Sequence, residues 1–402
     1  MGRSRLPLAI AVAVAAAAAA TLLLRPRSGL IEPAPVDVKQ YFTAFQLERA
    51  EDFRSLQRVL GLAGLGIGIG TLGVLVWRPP TRLLGRLEAR PLLGGAAVGA
   101  GISVLLVVTG LPIRAWMRQR SLDVGLATQA WPDWAVDVLK SAGIGAVTAA
   151  VGGLVAVALV RRFPRNWWAP GAVLVIAYGV VTIWLYPIVI DPVFNKFDKL
   201  KPGQLRSDVL ELADRAGVDV GEVYRIDASR RTSAANAYVI GLGHSKRVVL
   251  YDNLIDEFPR DEVRVVVAHE LGHQKHNDLL RGLAWLALVA PAGTLLTQAL
   301  AERFARRELG TPAGLPAIAL AVALAGLGLG IASNALSRPV EARADSFALD
   351  LTRDPADFVK FERRITVRNV SDPDPPELFH VLFDTHPTTK ERIGFGEAFG
   401  AE

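Results

Sequence analysis

Seven apolar runs, at about residues 7–24, 57–77, 92–113, 142–160, 168–190, 279–301 and 314–336, constrain this chain more than any other feature. The hydrocarbon core of a bilayer is roughly 30 Å thick and takes about 20 helical residues to cross. Inside it every backbone N–H and C=O must find a partner within the protein, so each run reads as a spanning α-helix. Composition agrees, because 51% hydrophobic residues and a mean hydropathy of +0.31 exceed what an ordinary soluble enzyme carries. The first run follows Arg3 and Arg5, as a signal peptide would, but its length and the Arg25 and Arg27 at its exit favour a retained span. Residues 28–56 read as an extramembrane, partly helical segment.

The net charge of +6 does not point to nucleic acid, because the basic residues flank apolar runs or lie scattered and form no patch. With 0 cysteines the chain has no disulfide, no thiolate nucleophile and no Cys-ligated metal. Any metal must be held by nitrogen and oxygen. Within the second run, Gly68-Ile-Gly70-Thr-Leu-Gly73 has the spacing of a dinucleotide-binding turn. No strand precedes it, so close helix packing through Gly64 and Gly68 is expected instead.

Between Asp191 and Asp278 the sequence turns charged and patterned like a soluble domain. A helix is expected over 203–217 from Leu205, Val209, Leu212 and Ala213, and strands over 222–227, 236–242 and 246–251. A turn at Gly241–Ser245 makes the last two a hairpin. A helix then begins near Pro259, with Asp261 and Glu262 at the positive end of its dipole. Val263, Val266 and Val267 face inward, and the same stripe carries HELGH, residues 269–273.

His269 and His273 lie four apart on one helix face beside Glu270, the arrangement of a zinc site with its own general base. Catalytic zinc usually takes three protein ligands and leaves a fourth position to water. Just past the seventh run, Asn334, Arg338, Glu341 and Asp345 recur at helical spacing on one face. Glu341 is assigned as the third ligand. Asp345, one turn on, is placed to accept the free N–H of a ligand histidine. Pro339 is expected to kink this helix.

HELGH, NALSRPVEARAD at 334–345, RRTSAANAY at 230–238, YPIVIDPVFNKF at 186–197, His386-Pro387 and Glu391-Arg392-Ile393 together resemble the integral-membrane zinc CAAX prenyl endopeptidases. The HtpX-type membrane metalloproteases are more distant relatives by the same motifs. The resemblance spans about residues 36–395. It implies spanning helices around a water-filled chamber with zinc at its inner wall, and a substrate that adds to the strand carrying Asn236, Ala237 and Tyr238. Asn236 matches that family's substrate-binding asparagine and His386 its transition-state histidine.

The expected architecture is therefore mainly α. It is a polytopic membrane bundle of about seven spans with an inserted zincin-like α+β metalloprotease domain. Residues 1–190 form the bundle's first five spans, 191–278 the catalytic part with HELGH, 279–336 spans six and seven, and 337–402 a C-terminal catalytic part. One Zn²⁺ per chain on His269, His273 and Glu341 would acidify water, Glu270 would take its proton, and His386 would stabilise the oxyanion. Arg338 and Arg392 would orient nearby carboxylates or backbone. His276 reads as solvated, His244 as a surface residue in the turn, and His380 as packed among Phe379 and Phe383.

The expected partners are a lipid bilayer and a peptide or membrane-associated protein substrate. Nothing in the sequence names a prenyl pocket, and an Ala/Arg/Gly-rich composition of bacterial type favours a broad peptide substrate. A membrane quality-control peptidase without prenyl preference is the alternative, and a non-catalytic scaffold or transporter the remaining class. Loops at 78–90, 161–167 and 302–313 carry 4, 3 and 3 Lys/Arg against 5 at 25–56 and 3 at 114–136. That weakly places the catalytic face outside. The resemblance places it in the cytoplasm, and this reading is followed.

Overall fold

The computed structural model describes residues 5–241 and 246–401. Arg3, His244 and the tip of the expected turn lie outside them. Helix α1, Arg5–Leu24, is followed by α2, Ala44–Trp77; α3, Thr81–Leu87; α4, Pro91–Asp123; α5, Trp131–Arg162; and α6, Trp168–Leu185. α2 starts well before its apolar run, where Thr43 and Gln46 form a capping box. Part of the 28–56 segment is thus the exposed end of the second span.

The YPIVIDPVF stretch continues α6 as a π-turn at Tyr186–Ile190 and then α7, Asp191–Phe194. Pro187 and Pro192 have no N–H to keep the α-ladder in step there. The extramembrane part then runs β1, Phe197–Lys199; α8, Gln204–Ala216; β2, Glu222–Ile226; β3, Ala237–Ile240; β4, Arg247–Tyr251; α9, Asp252–Glu257; and α10, Arg260–Lys275. The chain returns to the bundle with α11, Asp278–Phe304, and α12, Leu315–Thr352. It ends in α13, Pro355–Arg368; α14, Glu377–Phe383; and α15, Thr389–Gly400. Among the described residues seven helical segments are long and apolar enough to cross a membrane, and the protein is an integral multi-pass membrane protein.

The sheet has strand order β1-β2-β4-β3, with β2 and β4 parallel and the other pairs antiparallel. The expected hairpin is β3 with β4, and β1 was not foreseen because three residues carry too little pattern. β3 is left at an edge. α10 lies beside it at the centre of the extramembrane core, where Val263, Val267, Ala268 and Leu271 pack with Val248, Leu250, Leu349 and Phe358. Glu262 stands in the first turn of α10, as expected from the helix dipole. It is buried and held by Arg364 at 2.7 and 3.0 Å, which fastens α10 to α13.

One expectation about glycine packing needs correction. A Cβ built on Gly64 would meet Ile113 Cγ2 of α4 at 3.8 Å, an ordinary contact, but no atom lies within 4 Å of one built on Gly68 or Gly70, so the GxGxxG stretch itself is not a close helix contact. The close contact is between α4 and α5. A Cβ on Gly99 would lie 2.1 Å from the Ala149 carbonyl oxygen, and one on Gly153 would lie 2.3 Å from that of Gly95. Small residues four apart let these two backbones touch. α12 remains helical through Pro339 to Thr352, so span and catalytic segment are one element.

Candidate metal centre

α10 offers His269 and His273 from successive turns, and α12 brings Glu341 to them across its own length. The Nε2 atoms of the two histidines are 3.2 Å apart. Glu341 Oε2 lies 3.2 Å from His269 Nε2 and 3.4 Å from His273 Nε2. Ligands about 2.0–2.1 Å from a tetrahedral ion are separated by roughly 3.3 Å, so these spacings fit such an ion. Glu341 Oε2 is buried and accepts no hydrogen bond, although it points at three imidazoles. A cation held among these atoms would satisfy it. Two imidazole nitrogens and one carboxylate oxygen form a donor set suited to zinc.

Both histidines are fixed from behind. Asp345 Oδ1 meets His269 Nδ1 at 2.7 Å, as the helical spacing suggested. Asp278, the first residue of α11, meets His273 Nδ1 at 3.1 Å. The sequence reading missed this role. Arg281 and Arg343 in turn hold the Asp278 carboxylate. Arg392 grips Asp345 through Nε at 2.8 Å and Nη2 at 2.6 Å, and its Nη2 lies 2.9 Å from Glu362, also unforeseen. Burial pushes the Glu362 carboxyl up to about 7 despite Arg392.

Burial disfavours protonated imidazole, but Asp345 and Glu341 outweigh it and raise His269 to about 10. The same opposition, with Asp278 and Glu341 prevailing, brings His273 to about 9. Glu270 is raised by burial, while His269 and His273 pull it the other way. It opens on a cavity of about 1090 Å³ shared with His273, Glu341, Tyr238 and the end of α6.

His386 Nε2 lies 3.3 Å from Glu341 Oε2, and its Nδ1 bonds Thr385 Oγ1 at 2.8 Å. Arg338 positions the segment before it, donating to the carbonyls of Val381 at 3.1 Å and Asp384 at 2.9 Å. Asn334 adds a bond to the Leu382 carbonyl at 2.8 Å. Of the two roles considered for Arg338, the structure shows the backbone one. A second cavity, of about 890 Å³, is lined by His386, Arg392, His380 and residues of α2.

His380 pairs with Asp384 at 3.1 Å and lines that cavity as well as packing. His276 is half-buried with its ring edge-on to Phe347 at 5.6 Å, where solvation was expected, because α12 passes over the end of α10. The Tyr238 hydroxyl donates to Asp191 Oδ2 at 2.8 Å. The exposed Asn236 side chain accepts from the Ala237 N–H at 2.9 Å.

Residues 199–395 match the model of peptidase family M48, and residues 64–196 match that of the CAAX prenyl protease N-terminal region with five membrane helices. The chain is 32% identical over 307 residues to the metalloprotease YhfN of Bacillus subtilis, covering 74% of this chain and 71% of that protein. It is 34% identical over 151 residues to CAAX prenyl protease 1 of Saccharomyces cerevisiae, covering 37% of this chain and 33% of the yeast protein. The match to the Oryza sativa homologue covers 52% of that protein, so the chain spans a third to a half of these eukaryotic relatives. Its fold is similar to the crystal structure of Ste24p from S. mikatae, with a TM-score of 0.71 at 19% identity over 98% of this chain and 99% of that one.

Proposed function

Because the chain belongs to peptidase family M48, and is thus a membrane metalloprotease, we propose that it is a zinc endopeptidase acting on CAAX-type or other membrane-associated peptides. The observation that carries the mechanism is the convergence of His269, His273 and Glu341 within hydrogen-bond distances of one another, with Glu270 and His386 beside them. A zinc ion held there would supply Lewis acidity, acidifying water and polarising a peptide carbonyl. Glu270, raised by its burial, takes the proton from the attacking water and passes it to the leaving amine. His386 donates from Nε2 to the oxygen that becomes negative, and Arg338 holds its segment in place. Asp345 and Asp278, each at an Nδ1 atom, leave the Nε2 atoms of His269 and His273 free to hold that ion.

CAAX-type tails are favoured as substrates by the relatives' names and by the match of residues 64–196 to the CAAX prenyl protease N-terminal region. Asn236, Ala237 and Tyr238 are proposed to bind the peptide as an added strand. In the experiment that tests this reading, Glu270→Gln protein binds one zinc and loses at least about a hundredfold in activity on a panel of farnesylated and unmodified peptides. An active Glu270→Gln protein sinks the mechanism. Equal cleavage of both peptide classes by the native protein sinks the CAAX preference and leaves a broad membrane peptidase. The catalytic face is proposed to be cytoplasmic. Single cysteines at Ser121 and Ala401, in a chain with none of its own, should then resist impermeant thiol reagents in intact cells, and labelling of both would reverse the orientation.

A further inference from the structure

The edge of the sheet is less open than strand order implies. The Asn236 carbonyl accepts from the Tyr251 N–H at 3.1 Å, and the register sets Ala237 against Leu250 and Val239 against Val248. Alternate residues of an antiparallel strand turn their N–H and C=O away from the partner. Ala237 and Val239 therefore present theirs at the free edge. At Val239 both groups are met by α10. Gln274 Nε2 donates to the Val239 carbonyl at 3.1 Å, and the Val239 N–H faces the Glu270 carboxylate. Gln274 and Glu270 stand four apart on one helix face, so the helix that carries the base also covers this rung of the strand. At Ala237 the N–H is taken by Asn236 Oδ1, and the carbonyl receives no side-chain donor among the described residues.

We propose that Gln274 is a specificity-determining residue that occupies the Val239 acceptor and ends the peptide-pairing edge after Ala237. The inference rests on the peptidase reading above. A peptide residue lying beside Val239 must displace the Gln274 amide, exchanging one neutral hydrogen bond for another. Added length on that side therefore gains no affinity from the strand. Recognition falls on the residues next to the cleaved bond and on the side-chain cavity beneath the sheet.

The test uses peptides lengthened one residue at a time on either side of the cleaved bond, with native, Gln274→Ala and Gln274→Glu proteins. Glutamate keeps the size of the side chain and cannot donate, so it serves if the alanine variant folds poorly. For the native protein kcat/KM should level off early on one side. In both variants it should continue to rise by about fivefold on that side, through KM, with no gain on the other. A purely structural role lowers all lengths alike, and length profiles identical to the native one overturn the proposal. Binding of the same peptides to metal-stripped protein, read by fluorescence anisotropy, should show the same one-sided gain. A protein that binds in this pattern and cleaves nothing ends the peptidase reading while leaving Gln274 its role.

Discussion

At the scale of single residues the centre is defined by which atom of each side chain is free. His269 and His273 have their Nδ1 atoms occupied by Asp345 and Asp278, so only Nε2 remains to bind a metal. These acids, together with Glu341, also favour protonated imidazoles, holding protons up to about 10 at His269 and about 9 at His273. A metal needs the neutral imidazoles, so zinc must displace those protons. Below pH 9 both are present and oppose binding, and as pH rises they leave. Apparent zinc affinity, measured by chelator competition, is expected to climb by roughly one to two orders of magnitude per unit between pH 6 and 8. A flat profile would show that the histidines are already neutral. Asp345 was legible from helical spacing after HELGH. Asp278 was not, because its proximity to His273 depends on the sharp turn at Asn277, whose left-handed backbone (φ 53°) no local pattern announced.

At the scale of elements, α10 and α12 carry the three ligands, while α4 and α5 form the tightest helix pair. Gly99→Ala places a methyl 2.1 Å from the Ala149 carbonyl oxygen, which backbone cannot easily yield. It should destabilise the detergent-solubilised protein by about 1–3 kcal/mol. Gly68→Ala meets no atom within 4 Å and should be neutral or slightly stabilising, since alanine favours helix. Thermal melts of the two variants decide the matter, and equal destabilisation would contradict the packing. The glycine spacing at 64–73 and at 95–99 looks alike in sequence. What separates them is which face of each helix meets a neighbour, and composition alone does not encode that. The capping box at Thr43 and the glycine that ends α8, Gly217 at φ +65°, are by contrast local signals, which the sequence reading did not use.

At the scale of the whole molecule a metal held by His269, His273 and Glu341 would link the extramembrane core to the last span. α10 belongs to the core beside the sheet, and α12 passes from the bundle into that core as one helix. A ligand that binds only the folded protein adds about 2.7 kcal/mol at a hundredfold excess over its Kd. Chelation is therefore expected to lower the midpoint of thermal unfolding, and added zinc to restore it. The response should vanish in His269→Ala. An unchanged midpoint on chelation would mean that the centre does not hold metal under those conditions.

The sequence by itself determined the seven spans, the helix bearing HELGH and a carboxylate on the right face of the last long helix. Each of these is written in the periodicity of a few turns, where hydrophobic and backbone forces act locally. The tertiary structure alone decided that Asp278 serves His273, that Glu362 joins Arg392, that the tight helix contact lies between α4 and α5, and that Gln274 covers Val239. Those pairings join residues separated by many turns. They form only where packed helices bring unlike segments to the same few ångströms.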